Sequence, residues 1–279
     1  MPDPKQLPFL LKLLDDESPD VRQAVLSQFA AFGDSLEEHL RGLALPQNPQ
    51  QRRLVGGLIR LGRRKRLKDA WPALAQIRGD KQLLENALAL LAGFLEPSSP
   101  SATLTQLLDA LAAEFRDGPY RHDALALAEF LFQTRRLVGA RDSYFNPQNS
   151  NLLFVLTHRQ GLPISLACVY ILIASRLGMG VQGCNLPGHF LALALHEGGK
   201  FVVDCFNGGV VLLDSDLARL SSATPVSTTD LAGLECDAPV IITRVLRNLA
   251  NAYRRLEDEH AADDASTIEE LLQRYPAVH

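Results

Sequence analysis

The chain has 279 residues, of which 47% are hydrophobic, and a formal net charge of −4. That length leaves room for one large domain or two smaller ones, and so mild an acidity calls for neither nucleic acid nor an anionic membrane surface as a partner. The opening MPDPKQLPFLLKLLDDE charges up too early for a secretory leader, and the longest apolar run, Ile164 to Val181, is broken by Ser165, Ser175 and Arg176; the expectation is a cytoplasmic protein without a membrane span.

Residues 1 to about 95 alternate helical patterns with short polar breaks. In LPFLLKLLDDESPDVRQAVLSQFAAFG, Leu10, Leu13 and Leu14 share one helix face, Ser18 and Pro19 restart the chain, and Val21, Val25, Phe29 and Phe32 recur at helical spacing. Two antiparallel helices follow from this pattern. DDESPDVRQAVL resembles the turn and second helix of a HEAT-type repeat, in which an aspartate near the turn and a Val-Arg pair lock neighbouring hairpins. NPQQRRLVGGLIRLG and GDKQLLENALALLAGFL are weaker echoes, each an apolar helix after a polar break. The basic cluster Arg63 to Lys68 reads either as the solvated end of a helix or as a site for phosphate or an acidic partner. EPSSPSA, Glu96 to Ala102, is the linker candidate.

Helical pattern resumes in TLTQLLDALAAEFRDG and DALALAEFLFQTRRL and breaks at RDSYFNPQNSN. GLPISLACVYILIASRLG is a buried core helix, after which GVQGCN, HFLALAL, KFVVDCF and GVVLL, separated by PG, HEGGK and NGG turns, read as an antiparallel meander. The C-terminal stretch puts Leu246, Leu249, Ala250 and Tyr253, then Ile268, Leu271 and Leu272, on helical faces, and resembles a single TPR unit closed by Pro276. The fold class expected is α+β, mostly α: a core of a buried helix and antiparallel sheet, with helical repeats at both ends. The domains expected are 1–96, 102–238 and 239–279.

A buried helix preceded by Gly161, then His189 at a strand edge, then Asp204 closing the next strand is an order suited to nucleophilic catalysis. There a thiolate sits at the helix N-terminus, the imidazole moves the proton, and the carboxylate fixes its tautomer. This arrangement resembles the papain and transglutaminase-like superfamily, which implies a transglutaminase-like (papain-like) core whose helix start reads G-x-C-x-x-x-A. Gly161, Ala167 and the Leu177-Gly178 pair fit that frame, and Pro163 stands where the cysteine belongs. Proline cannot attack, although it is tolerated in a first helical turn.

Substitutes are few. Ser165 lies roughly 200° around the helix from Pro163 and reads as a first-turn hydroxyl. Cys168 lies more than a turn down the apolar helix, Cys205 alternates to the sheet face opposite Asp204, and Cys184 could approach the imidazole across the PG turn. The four cysteines contain no C-x-x-C pair and are expected as free thiols. Cys184, His189 and Cys205 lack the paired spacing of zinc modules, so neither metal nor cofactor is expected. His196 reads as an exposed turn residue, and a satisfied His189–Asp204 pair without function is the bland alternative for the site itself.

NPQNSNLLFVLTHRQGLPISLACVYILIASRLGMGVQGCNLPGHFLAL, FVVDCFNGG and RVLRNLANAYRRL together resemble the SirB1 family of transglutaminase-like proteins over residues from about 100 onward. The family's N-S-x-L phrase is matched by Asn149, Ser150 and Leu152, its G-x-P-x-S-L by Gly161, Pro163, Ser165 and Leu166, its P-G-H-F by Pro187 to Phe190, and its D-x-F-N-G-G by Asp204 and Phe206 to Gly209. The resemblance implies that the proline is the family's own form. The expected function is a noncatalytic or atypical module in which His189 and Asp204 remain as base and orienting acid. Asn149, Ser165, Cys184 and Asn207 would line a pocket for a peptide or small polar ligand, and the helical repeats would recruit protein partners. The alternative is an amide hydrolase or acyl transferase using Cys184, Cys205 or Ser165 with His189; a pure scaffold is a third possibility.

Overall fold

The structure is a computed structural model that describes residues 2–41, 43, 48–95, 101–186, 188–196, 198–220, 233–258 and 260–274. The chain divides into two compact units, Met1–Pro72 with Asp258–His260, and Ala73–Glu257 with Ala261–His279. Residues 96–100 of the expected linker lie outside the described residues.

The first unit is built from α1 (Leu7–Lys12), α2 (Pro19–Ala31), α3 (Leu36–Arg41) and α4 (Pro49–Ala70). Leu7, Leu11, Leu14, Val25, Phe29, Phe32, Leu36, Leu40 and Val55 form its core. The α1 face is rotated from the expected one: Leu7 and Leu11 are buried, Leu10 is partly buried, and Leu13 is 40% exposed. The reason is that α1 stops at Lys12, so Leu13 follows the turn instead of the helical period. Ser18 caps α2 and Pro19 occupies its first turn, where a missing N–H costs nothing. Arg22 Nη1 donates to the carbonyls of Asp16 (2.5 Å) and Glu17 (3.0 Å), tying down the α1–α2 turn. Asp15 reaches the start of α4, accepting from Asn48 Nδ2 and Gln51 Nε2 at 2.6 Å each. The aspartate thus binds the helical hairpin to the next helix, while Arg22 closes the hairpin's own turn. In the basic cluster, Arg63 and Arg66 both pair with Glu37, at 3.3 and 2.9 Å, so these two guanidinium groups serve the unit's own packing.

The second unit contains α5 (Asp80–Leu95), α6 (Ser101–Asp117) and α7 (Ala124–Glu129), the last extended by a π-helical turn, Phe130–Thr134. The strand β1 (Val138–Gly139), a 3-10 turn Pro147–Ser150, α8 (Leu152–His158) and β2 (Gln160–Gly161) lead into α9 (Pro163–Arg176). Every residue of α9 from Ile164 to Ala174 is buried, because α5, α6, α7, α8, β3 (Val181–Cys184) and β4 (Leu191–His196) all pack around it. Such all-round burial is what a helix without a polar stripe requires. Arg176, at its end, bonds Asp109 (2.6 Å) and Glu85 (2.8 Å), fastening α9 to α6 and α5.

The meander continues through β5 (Gly199–Asp204) and β6 (Val210–Leu212), followed by α10 (Asp214–Leu220), β7 (Glu235–Cys236), α11 (Ala238–Arg254) and α12 (Ala261–Arg274). Sheet order is β6-β5-β4-β3-β7, antiparallel throughout; β7, two residues long, carries too little pattern to be read from sequence. Cys184, Leu191, Leu193 and Val202 share one sheet face, closed by Leu186 and by Leu217 of α10. α11 buries Ile241, Ile242, Val245, Leu246, Leu249 and Tyr253, packing on α12, α5 and the 3-10 turn. Pro276 lies outside the described residues.

Candidate functional site

The helix start that the superfamily frame reserves for a nucleophile is formed by Leu162 and Pro163. Leu162 is the N-cap in extended conformation, Pro163 takes the first helical position, and no side chain caps the exposed N–H groups. Ser165 is fully buried, and its Oγ donates to the carbonyl of Asn149 at 2.7 Å. This hydroxyl is committed to joining α9 to the Pro147–Ser150 turn. Asn149, itself 1% exposed, donates through Nδ2 to the carbonyls of Ser143 (2.6 Å) and Tyr144 (3.2 Å) and so shapes the loop before that turn.

His189 follows a tight turn in which its N–H donates to the Leu186 carbonyl at 3.0 Å. The imidazole is half-buried, and its Nδ1 is buried without a hydrogen-bond partner. Asp204 does not supply one. Its Oδ1 accepts the N–H groups of Phe206 and Asn207, both at 3.1 Å, and its Oδ2 accepts Asn207 Nδ2 at 2.7 Å. Asp204 therefore builds an Asx-type turn, completed by Gly209 N–H to Asp204 O at 2.9 Å and by φ near +83° and +71° at Gly208 and Gly209. Asn207 is held in turn by Arg141 Nη2, 2.5 Å from its Oδ1. The structure thus places His189 and Asp204 on neighbouring strand ends, yet the carboxylate is spent on its own loop.

Four thiols are free and buried. Cys184 sits in the apolar cluster below the sheet, where burial raises its pKa to about 11, and burial raises Cys236 to about 12. Cys168 and Cys205 are fully buried and are pushed well up by that burial, Cys205 also by Asp204 and Cys168. A thiol so held is protonated at neutral pH and a poor nucleophile. Among the described residues no Oγ or Sγ hydrogen-bonds Nδ1 of His189, and no three His, Cys, Asp or Glu side chains come together as a metal-holding group, so Cys184, His189 and Cys205 are not assembled into a ligand set. His196 differs from the expected exposed turn: it ends β4, half-buried, with Nδ1 3.9 Å from Asp123.

Beside the His189 turn lies a feature the sequence reading passed over. Arg244 of α11 donates through Nη1 to Asn185 Oδ1 and to the Leu186 carbonyl (3.2 Å), the same carbonyl that accepts from His189. Its guanidinium lies 5.4 Å from the Phe190 ring centre. Asn185, Val240, Thr243, Arg244, Arg247 and Asn248 line a cavity of about 320 Å³ here. The available signal was the acid-free composition of RVLRNLANAYR in an otherwise acidic chain.

Comparison with known proteins agrees with this architecture. The transglutaminase-like superfamily model matches residues 100–247, and a HEAT repeat model matches 7–36. A UPF0162 protein of Xylella fastidiosa (strain Temecula1) is 36% identical over 159 residues, 54% of this chain and 56% of that protein. A UPF0162 protein of Pseudomonas aeruginosa is 29% identical over 194 residues, 68% and 72% of the two chains. F-box only protein 21 of Mus musculus is 36% identical over 66 residues, 24% of this chain and 10% of that protein. The chain spans just over half the length of the Xylella relative. No solved structure matches it. With the family match covering more than half of its length and enclosing the helix, His189 and Asp204, the chain belongs to the transglutaminase-like superfamily.

Proposed function

We propose that this protein is a SirB1-type, noncatalytic transglutaminase-like module that binds a peptide or small polar ligand beside His189. The observation that carries this reading is the absence of a competent nucleophile among the described residues near His189. Pro163 holds the helix start, the Ser165 hydroxyl is bonded to a backbone carbonyl, and the buried thiols are held protonated. In this reading His189 contacts the ligand, while Asp204, Asn149 and Asn207 hold the walls around it. Cys184 backs the sheet.

The N-terminal HEAT-type hairpin and the paired α11 and α12, which we read as TPR-like, supply surfaces for protein partners. Four free cysteines fit a reducing compartment, and no helix among the described residues is long and apolar enough to cross a membrane; we place the protein in the cytoplasm.

The test is intact-mass analysis of the native protein after treatment with iodoacetamide and with a fluorophosphonate. Neither reagent is expected to leave an adduct at Cys184, Cys205 or Ser165, and a glutamine peptide is expected to release ammonia no faster than in a protein-free blank. A stoichiometric adduct at any of these residues, lost in His189→Ala, would sink the reading and favour an acyl-transfer enzyme.

A further inference from the structure

The cavity between α11 and the turn leading to His189 is built around cations that pair with no acid among the described residues. The sequence of α11 contains Arg244, Arg247 and Arg254 and not one Asp or Glu, in a chain of net charge −4. Arg254 pairs with Glu269. Arg244 and Arg247 pair with no carboxylate among the described residues. Positions 244, 247, 248, 251 and 255 fall on one stripe at about 100° per residue, opposite the buried Ile242, Leu246 and Leu249.

Arg244 is the informative member. It is half-buried, and only Nη1 is hydrogen-bonded, to Asn185 and the Leu186 carbonyl. Of the five donors a guanidinium carries, those on Nη2 and Nε are unmatched. Burial draws its pKa down, and the groups that act on its charge are Cys236, Tyr144 and Cys184, none of them a carboxylate. The nearby acids are committed elsewhere: Glu235 pairs with Lys200, and Asp237 caps α11. A half-buried guanidinium with open donors and no counter-charge among the described residues is costly to fold unless a further partner completes it.

The surroundings indicate what kind of anion. Tyr144 and Phe145 stand 39% and 43% exposed, edge to face at 5.2 Å, with Arg255 stacked 3.8 Å from the Phe145 ring centre. The loop carrying both aromatics leads into the Pro147–Ser150 turn, which packs on α11. Tyr144 does not line the cavity but lies within electrostatic reach of Arg244, so the arginines suit a planar anion and the neighbouring exposed aromatics an apolar side chain.

We propose that this cavity is a carboxylate site, in which Arg244 through Nη2 and Nε, with Arg247 and Asn248, receives the C-terminal carboxylate of a peptide whose last side chain rests on Tyr144 and Phe145. The proposal rests on the ligand-binding reading given above and extends it, since these residues lie outside the superfamily frame of helix, histidine and aspartate. No covalent step is involved.

The test uses the full chain and compares N-acetylphenylalanine with N-acetylphenylalaninamide, following the backbone amide shifts of residues 185–189 and 240–251 by NMR. The acid is expected to give saturable shifts, and the amide to bind about tenfold or more weakly, as the loss of a charge-assisted bidentate contact requires. Arg244→Met, which keeps the stem over Phe190, and the exposed Arg247→Gln should each weaken the acid at least about fivefold with the fold intact by circular dichroism. Three results overturn the proposal: no saturable shift from the acid up to about 50 mM, equal shifts from acid and amide, or retained affinity in both variants. Inorganic phosphate producing the same shifts at or below the acid's concentration would also overturn the carboxylate assignment. A covalent adduct in the labelling experiment would sink the noncatalytic reading alone, so the two failures are distinguishable.

Discussion

Asp204→Asn separates the two roles this carboxylate could have. The substitution keeps shape and one acceptor oxygen, so the Phe206 and Asn207 N–H groups still find a partner, now neutral instead of charged. At the other position an NH2 group replaces Oδ2 and faces Asn207 Nδ2, 2.7 Å away in the native turn. Asn207 cannot flip its amide freely, because its Oδ1 already accepts from Arg141. Weakening two charge-assisted bonds and setting donor against donor costs about 3 kcal/mol. Removing a charge that is only 2% exposed returns part of this, leaving about 2 kcal/mol. Native-state hydrogen exchange of the full chain reads this locally: the amides of β5, Gly209 and β6 should exchange about thirtyfold faster, with α5 and α9 changed far less. His189→Ala, which removes a ring whose Nδ1 makes no hydrogen bond, should cost less than about 0.5 kcal/mol, and the double variant should be additive. Unchanged exchange in Asp204→Asn, or a coupling above about 1 kcal/mol between the two positions, would refute the claim that Asp204 serves its turn and not the imidazole.

Other expectations follow from single contacts. Tyr170→Phe deletes a buried 2.6 Å bond from the phenol to the Ala124 carbonyl and should lower stability by about 1 kcal/mol, read as a lower urea midpoint; an unchanged midpoint would show that bond to be worthless. Gly209→Ala places a Cβ 2.4 Å from the Phe132 ring at a φ of +71°, so strain and overlap together should cost more than about 2 kcal/mol, and a wild-type melting temperature would contradict the turn geometry. The buried thiols give an alkaline limit. Their native pKa values lie above the ordinary 9.0, at about 11 for Cys184 and about 12 for Cys236, so the unfolded chain loses protons first. The stabilisation is complete below pH 9.0 and is lost as pH rises through the native values. Melting temperature should fall across that window, and less steeply in Cys184→Ala; parallel slopes would count against burial as the cause.

The absence of a thiol at the helix start changes what the surrounding residues are for. Ser165 and Asn149 lock α9 to the preceding turn, and Asp204 and Asn207 lock the β5–β6 loop. Each is a polar residue in a motif phrase; Ser165, Asn149 and Asp204 are buried and satisfied by backbone or by a neighbour, as buried polar groups must be, while Asn207 stands exposed. His189 and Arg244, by contrast, retain polar capacity unmatched among the described residues, and both stand on the Leu186 carbonyl turn.

Local pattern was enough to determine the main elements and their order, though not the two-residue β7 or α10. The three-four spacing of Val25 and Phe29, the Ser18-Pro19 helix start, the all-apolar run after Pro163 and the alternating strands between Gly180 and Leu213 each dictate an element through period and cap chemistry alone. The departure of Pro163 from a nucleophile frame is likewise a fact of sequence. What only the tertiary structure decided is where polar side chains spend their hydrogen bonds. The fifteen-residue spacing of His189 and Asp204 fits a bonded pair, yet an Asx turn two and three residues on claims the carboxylate first, because a short-range bond closes at lower entropic cost than one across strands. Arg244 reads in sequence as one more arginine on an amphipathic helix. It acquires meaning only when folding sets it beside a turn 58 residues away, half-buried and paired with no carboxylate among the described residues.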